Sequence, residues 1–462
     1  MLLDAQNEVI VGLATPPGAA GIAVVRLSGP DVRAVGARLV PALGRSVPSR
    51  RLRLCRVAHP SSGEVLDRAM VCWMAGPRSY TGQDVVELQT HGGAATVEAV
   101  IRACLEAGCR MARPGEFTLR AFLNGRLDLA EAEAVGALVG AQSDRARRVA
   151  LRQLHGGLGH ALGEVRQTCV EVLAEVEARL DFPEEEVADL PVGPLIERLD
   201  RVLSSLDDLL AQAPAGRLAR EGARVVLLGR PNVGKSSLLN ALVGRDRAIV
   251  HPSPGTTRDW LEDDLSLGGL RLTIVDTAGQ RPGADPAESL GARTALDQAR
   301  HADLVLMVIN LVDGMTLEDE RLMDGVSAEV GVVLNQIDRV DDDARSRLAD
   351  QVAAQGTEVL GWTSATTGRG VPRLREALRE RFEGGEVAFE DLPLVSEQRH
   401  EEALRRTRTS VEGARLGLER QRAEELVALD LREATVTLGA VTGEGVASDV
   451  LEEIFSRFCI GK

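Results

Sequence analysis

The chain has 462 residues, 44% hydrophobic and 27% charged, which is room for two to four domains with a core each. No run approaches the ~20 apolar residues that cross a bilayer, and "MLLDAQNEVI" carries an acid where a secretory signal would be basic, so a cytoplasmic protein with no membrane association is expected. A formal net charge of −15 excludes a generally basic nucleic-acid binder, because Lys and Arg on phosphate supply most non-specific affinity; any RNA contact must be local or shared with a partner.

In chain order, strand-like runs ("GIAVVRLSG", "DVVELQT") and turn signals ("TPPG", "HGG") predict an N-terminal α+β domain over 1–123. From residue 124 apolar positions recur at three and four: Leu162, Val165, Cys169, Val172, Val176 and Leu180, then Leu195, Leu199, Val202, Leu206 and Leu209. Long amphipathic helices are predicted over 124–218, with "AQAPAGR" (211–217) breaking the pattern. Over 219–383 strands alternate with helices ("ARVVLLG", "RLTIVDTAG", "DLVLMVIN", "GVVLNQID", "EVLGWTSA"), the signature of a parallel, doubly wound α/β sheet. After "FEGGEVAFEDLPLVS" helical spacing resumes and runs through 384–462. Helices on both flanks fit three domains in a row or one discontinuous helical domain with the α/β domain inserted; insertion is favoured, since domain termini often lie close together. The cysteines at 55, 72, 104, 109, 169 and 459 form no CxxC pair and no zinc spacing, and are read as reduced thiols, all but the last as core or neutral positions.

Between the strand "RVVLL" and the helix "SSLLNALVG" stands "GRPNVGKSS", Gly229 to Ser237, which matches GxxxxGK[ST] in the strand–loop–helix setting of a P-loop. Glycines let backbone N–H groups from Asn232, Val233, Gly234, Lys235, Ser236 and Ser237 close around phosphate oxygens, Lys235 neutralises β and γ charge, and the Ser236 hydroxyl suits Mg2+. "GTTRD" follows, with Thr256 and then Thr257 as the switch threonine that senses Mg2+ and γ-phosphate. "DTAG" (Asp276, Thr277, Ala278, Gly279) ends a strand, so Asp276 can hold Mg2+ through water while the Gly279 N–H reaches the γ-phosphate. "NQID" (Asn335, Gln336, Ile337, Asp338) ends another, and the Asp338 carboxylate can accept two hydrogen bonds from guanine N1 and N2, a donor pair that adenine lacks. Gln336 stands where GTPases usually carry lysine; it can cover the base without charge, so guanine specificity should survive while affinity falls. "TSA" (Thr363, Ser364, Ala365) would complete base recognition through the backbone. Two residues compete to orient the attacking water, Gln280 directly after "DTAG", as in Ras-like enzymes, and Glu288 in "ADPAESLG"; the motif alone favours Gln280.

The chain closes on "SRFCIGK". A prenylation box needs two aliphatic residues after its cysteine and a terminal Ser, Met, Gln, Ala, Leu or Phe. Here Gly461 and Lys462 fill decisive places, so no lipid anchor is expected.

These motifs, with "AIVHPSPGTTRD" and with segments outside the GTPase region ("ATPPGAAGIAVVRLSG", "SYTGQDVVELQTHGG", "ARPGEFTLRAFLNGRLDLAEAEA", "LGAVTGEGVASDVLEEIFSRFCIGK"), resemble the MnmE, or TrmE, family of bacterial tRNA-modification GTPases over nearly the whole chain. The resemblance implies an N-terminal tetrahydrofolate-binding domain that dimerises the protein, a helical domain built from both flanks, and an inserted GTPase. It implies a homodimer that forms a heterotetramer with the partner MnmG (GidA), which brings FAD. Together they build aminomethyl or carboxymethylaminomethyl groups on C5 of the wobble uridine of certain tRNAs. The one-carbon unit comes from a tetrahydrofolate derivative, in the 5-formyl or methylene form.

By the same resemblance Arg26, Glu87, Arg126 and Lys462 are the folate contacts, and Arg126 is lysine in some members. Cys459 would sit near the one-carbon chemistry as a nucleophile, a buried structural cysteine being the alternative. K+ would offset charge between β- and γ-phosphates, held by the Asn232 side chain and by oxygens of His251, Ser253 and Thr256, with Ser236 and Thr257 on Mg2+. His251 replaces the family's usual Thr or Ser, and its carbonyl can still serve. The resemblance moves the water-orienting role to Glu288, before "SLG". A ribosome-assembly GTPase of the Era or Der type shares "GRPNVGKS" and "GTTRD" and is the alternative; it predicts a basic RNA-binding module, and neither flank reads as one.

Overall fold

The structure, a computed structural model, describes residues 7–45, 48–181, 191–244, 261–267, 269–276, 296–341, 351–352, 357–383 and 391–461. The chain divides into two compact units, one of residues 1–139, 153–211 and 398–462 and one of residues 140–152 and 212–397.

In the first unit β1 (Ile10–Leu13), β2 (Ala20–Ser28), β3 (Arg53–Ala58), β4 (Val65–Met74), β5 (Val85–Gly92) and β6 (Arg110–Met111) form a sheet in the order β3-β4-β5-β2-β1-β6. All neighbours are antiparallel except β1 with β6. The two-residue alternation of strands sends Val25, Leu27, Val71, Val86 and Leu88 into a core with Val32 and Leu39 of α1 (Val32–Leu39) and Val100 and Ala103 of α2 (Ala94–Glu106). Arg26 and Glu87 are paired in register and stand on the opposite face.

α3 (Glu116–Leu123) follows, then α4 (Leu129–Gly140), α5 (Asp144–Leu154) and α6 (Gly157–Asp181). α6 buries Leu162, Val165, Cys169, Val172 and Val176 as the spacing predicts, while Leu180 is only half-buried and Arg179 takes the buried place at that end. It packs against the helix Glu424–Thr442, which pairs in turn with Gln398–Glu419.

α7 (Gly193–Glu221) corrects one expectation: "AQAPAGR" does not end the helix, which runs through Pro214 to Glu221. A proline inside a helix loses a hydrogen bond and costs ~3 kcal/mol, and here packing offsets it. Pro214 itself is exposed, while Ala213 and Ala219 are buried. A Cβ on Gly216 would lie 1.9 Å from the Val395 carbonyl oxygen, so the buried segment around Val395 rests directly on the helix there. The Leu394 N–H donates to Gln212 Oε1 at 3.1 Å.

The second unit is built on β7 (Ala223–Leu228), β8 (Leu261–Leu267), β9 (Leu270–Asp276), β10 (Leu304–Asn310), β11 (Val330–Asn335) and β12 (Glu358–Thr363), in the order β12-β11-β10-β7-β9-β8. Every pairing is parallel except β8 with β9. Both faces are covered, as a doubly wound sheet requires. Val225, Leu227, Leu306 and Val308 point to a core with α8 (Lys235–Val243) and the helix Val371–Glu383, and Val226, Leu228, Val305 and Met307 to the other. The antiparallel strand β8 is absent from the sequence reading; three consecutive acids, Glu262, Asp263 and Asp264, interrupt the apolar alternation that marks a strand. As an edge strand it buries Leu265 and Leu267, and Asp264 pairs with Arg271 across the hairpin. The P-loop, "DTAG", "NQID" and "TSA" all follow carboxyl ends of these parallel strands, where doubly wound sheets bind ligands.

Candidate active site

The P-loop turns sharply between β7 and α8. Gly229 and Gly234 adopt φ +147° and +99°, and a Cβ on either would lie 2.4 Å from the Val308 carbonyl oxygen or from Asn335 Nδ2, so both positions require glycine. Asn232 holds φ 66°, a region asparagine tolerates, and its side chain is exposed, as are Ser236 and Ser237. Val233 is buried beneath them.

Lys235 is 5% exposed, and its ammonium donates to the carbonyls of Gly229 at 2.6 Å and Arg230 at 2.8 Å. Burial pulls its pKa below the usual lysine range, against the opposing pull of Asp276 and Asp319. The Ser236 hydroxyl donates to Asp276 Oδ2 at the end of β9, where Asp276 is fully buried. A hydroxyl and a carboxylate side by side are hard oxygen donors that fit Mg2+, an ion that keeps waters and takes further oxygens from nucleotide phosphates.

At the base end, Asn335 is 1% exposed and joins two loops. Its Nδ2 donates to the Val233 carbonyl at 2.9 Å, and its Oδ1 accepts from the Thr363 hydroxyl and the Ala365 N–H, each at 3.2 Å. Gln336 takes φ 67° and accepts from Arg339 Nη1 at 3.3 Å. Asp338 is exposed, and a hydrogen bond from the buried Ser364 holds its carboxyl below the usual range. The strand ends thus bring together Lys235, Ser236, Asp276, Asn335 and Ala365, with Asp338 on Ser364 beside them. His251, Ser253, Thr256, Thr257, Thr277, Ala278, Gly279, Gln280, Glu288 and Lys462 lie outside the described residues.

In the first unit Arg26 donates from Nε to Glu87 Oε1 at 2.9 Å, with Nη2 equally close. Its guanidinium lies 5.5 Å from the Tyr80 ring and 5.8 Å from the Phe117 ring, within cation–π range. Nη1 reaches the Gly461 carbonyl at 3.4 Å. The C-terminal tail is seated on β1: Gly461 has φ +100°, and a Cβ there would lie 2.0 Å from the Leu13 carbonyl oxygen. The Gly115 N–H donates to the Cys459 carbonyl at 3.5 Å, and Cys459 is exposed, so it is not a buried structural cysteine. Cys104, Cys109 and Cys169 are buried, and burial pushes the last two thiols up to about 12, out of reach of ionisation near neutral pH. Arg126 stands exposed on the turn after α3, its Cγ close to Gly82, two residues beyond Tyr80.

The sequence reading missed Arg230 and Asp319, whose side chains pair at 3.0 Å. A signal existed for the second: "TLED" is a Thr-x-x-Asp capping box, which marks a helix start with an anchored acid.

A family model for the MnmE helical domain matches residues 129–459, and one for the GTP-binding protein TrmE N-terminus matches residues 9–126. The tRNA modification GTPase MnmE of Moorella thermoacetica is 43% identical over 462 residues, covering 99% of this chain and 100% of that protein. That of Symbiobacterium thermophilum is 44% identical over 463 residues, covering 99% and 100%. That of Cyanothece sp. is 42% identical over 466 residues, covering 100% of both.

Proposed function

The chain belongs to the MnmE family of tRNA modification GTPases, and from that premise we propose that it hydrolyses GTP at the P-loop of its second unit in the service of tRNA wobble-uridine modification. The observation that carries the reading is the Lys235 ammonium held on two P-loop carbonyls beside the Ser236–Asp276 contact, at the strand ends where phosphates bind. The ribosome-assembly alternative is not favoured, because the matching relatives run the full length of the chain, flanks included.

In this reading the backbone N–H groups of residues 232–237 cradle the phosphates, and Lys235, costly to bury as a cation, is stabilised by phosphate charge. Asp338 reads guanine N1 and N2, with Ser364 orienting its carboxylate and Ala365 completing the base site. Ser236 and Thr257 would hold Mg2+, with Asp276 through water and the Gly279 N–H toward the γ-phosphate. Asn232, His251, Ser253 and Thr256 would hold K+. Bound at these residues, the ions would offset charge on the β- and γ-phosphates. Glu288 orients the attacking water, with Gln280 as its rival.

Arg26, Glu87, Arg126 and Lys462 would hold a tetrahydrofolate derivative, which would supply the one-carbon unit, and Cys459, exposed and two residues before the Gly461 whose carbonyl meets Arg26, would act there as a nucleophile. Homodimerisation through the first unit is supported by apolar side chains on the face that carries Arg26, Leu54 at 58% and Met70 at 36% exposed and paired across β3 and β4. The dimer works with MnmG, whose FAD completes the chemistry at uridine C5 in a heterotetramer. Among the described residues no helix is long and apolar enough to cross a membrane, and the cytoplasm is the proposed compartment.

The test is GTP turnover in K+ against Na+ for the wild type, Glu288→Ala and Gln280→Ala. Strong K+ activation, lost in Glu288→Ala with nucleotide binding retained, is expected. Cation-indifferent turnover that depends on Gln280 would replace this mechanism with a Ras-like one.

A further inference from the structure

Arg230, the second residue of the P-loop, has a side chain that the phosphate cradle does not use. Its Nε donates to both carboxylate oxygens of Asp319, each at 3.0 Å, and its Nη2 donates to the Gly314 carbonyl at 3.3 Å. Asp319 is fully buried at the start of the helix Leu317–Asp324, where the Thr316 N–H and hydroxyl donate to Oδ2 at 3.0 and 2.9 Å. The helix dipole favours a carboxylate there. The backbone of Arg230 in turn accepts from the Lys235 ammonium at 2.8 Å. A chain of contacts therefore runs from the capped helix through Arg230 to Lys235.

We propose that Asp319 and Arg230 are positioning residues for GTP hydrolysis: the ion pair holds the P-loop backbone, and through the Arg230 carbonyl it sets the place of the Lys235 ammonium. The proposal rests on the reading of the P-loop as the GTP site. Arg230 does not serve the phosphates as a cation. Swinging toward them would strip the buried Asp319 of its guanidinium partner and leave it with the Thr316 hydrogen bonds, a loss larger than an exposed pair gains. Its function is geometric, and geometry is costly to lose, since a misplacement of about 1 Å can lower turnover by ~100-fold.

Full-length wild type, Lys235→Ala, Asp319→Asn, Arg230→Gln, Arg230→Lys and the double variant Arg230→Gln/Asp319→Asn would be compared for kcat and KM of GTP hydrolysis and for thermal unfolding. Asp319→Asn and Arg230→Gln are expected to lower kcat about 10- to 100-fold with a much smaller change in KM. Arg230→Lys, which keeps the charge and loses the planar donor fork, should recover part of that loss. The double variant should be no worse than the poorer single one, as for two residues that act as a unit. Earlier melting with kcat unchanged, or single losses that multiply in the double variant, would overturn the proposal. If Asp319→Asn does not fold, Arg230→Gln decides with Arg230→Lys beside it, and a wild-type kcat in Arg230→Gln refutes the proposal. A wild type without GTP turnover, or a fully active Lys235→Ala, would remove the GTP reading and the proposal with it.

Discussion

Gln336 replaces the lysine of the usual base-recognition motif, and the structure shows how little the backbone minds. It adopts the left-handed φ of 67° and accepts a hydrogen bond from Arg339. In the proposed base site the loss is electrostatic, since Gln336 brings an uncharged amide where lysine would bring a charge. Gln336→Lys is therefore expected to tighten GDP and GTP binding by roughly 3- to 10-fold, the scale of one partly exposed charge-assisted contact. Titration with a fluorescent guanine nucleotide reads it, and unchanged or weaker binding would show that Gln336 already satisfies the loop. Lys235, Ser236, Asp276 and Asp338 were legible in the sequence because a phosphate or base motif is a local arrangement, set by neighbouring backbone and glycines. Arg230 and Asp319 were not, because their meeting spans 89 positions and depends on where β10 delivers the chain.

α3 shows the same contrast between elements. Charged side chains usually face water, yet Glu116 and Arg120 are 4% and 1% exposed. Arg120 donates to the carbonyls of Glu8 at 2.9 Å and Ser28 at 3.3 Å and to Glu116 at 3.0 Å, and so fastens the helix to the start of β1 and the end of β2. Burial pushes the Glu116 carboxyl up, but hydrogen bonds from Arg110 and the Arg113 N–H, with the Arg120 charge, prevail and hold it below the usual glutamate range. A carboxyl lowered on folding stabilises above its unfolded value, and that contribution is lost as pH falls through the folded one. Glu116→Gln leaves Arg120 buried without its countercharge and should cost about 3 to 5 kcal/mol. Amide exchange in the full chain should show faster exchange of β1 and β2 at neutral pH, with the gap from wild type closing in acid below the ordinary glutamate range. Equal protection at neutral pH would contradict the assigned role. The helix α7 carries the opposite lesson: Pro214 and Gly216 read as a break, and the packing of Val395 against Gly216 kept the helix whole.

At the scale of the whole molecule the formal charge of −15 bears on how tRNA is engaged. A protein that makes 6–10 phosphate contacts loses roughly 10³- to 10⁵-fold in affinity between 50 and 200 mM salt. This chain alone is expected to bind tRNA weakly and with a much shallower salt dependence, steepening when the partner is added; a steep dependence without the partner would place the RNA surface here. By itself the sequence determined the doubly wound GTPase core, the long helices and the P-loop, because hydrophobic period and glycine spacing are properties of adjacent residues. Only the tertiary structure decided that β8 forms an edge, that α7 survives its proline, that Asn335 ties two loops, and that Arg26 meets Glu87 across 61 positions and the Gly461 carbonyl across 435. Those contacts depend on the path of the chain between their partners, and the free energy of burying a charge is set by what arrives beside it, which no local pattern encodes.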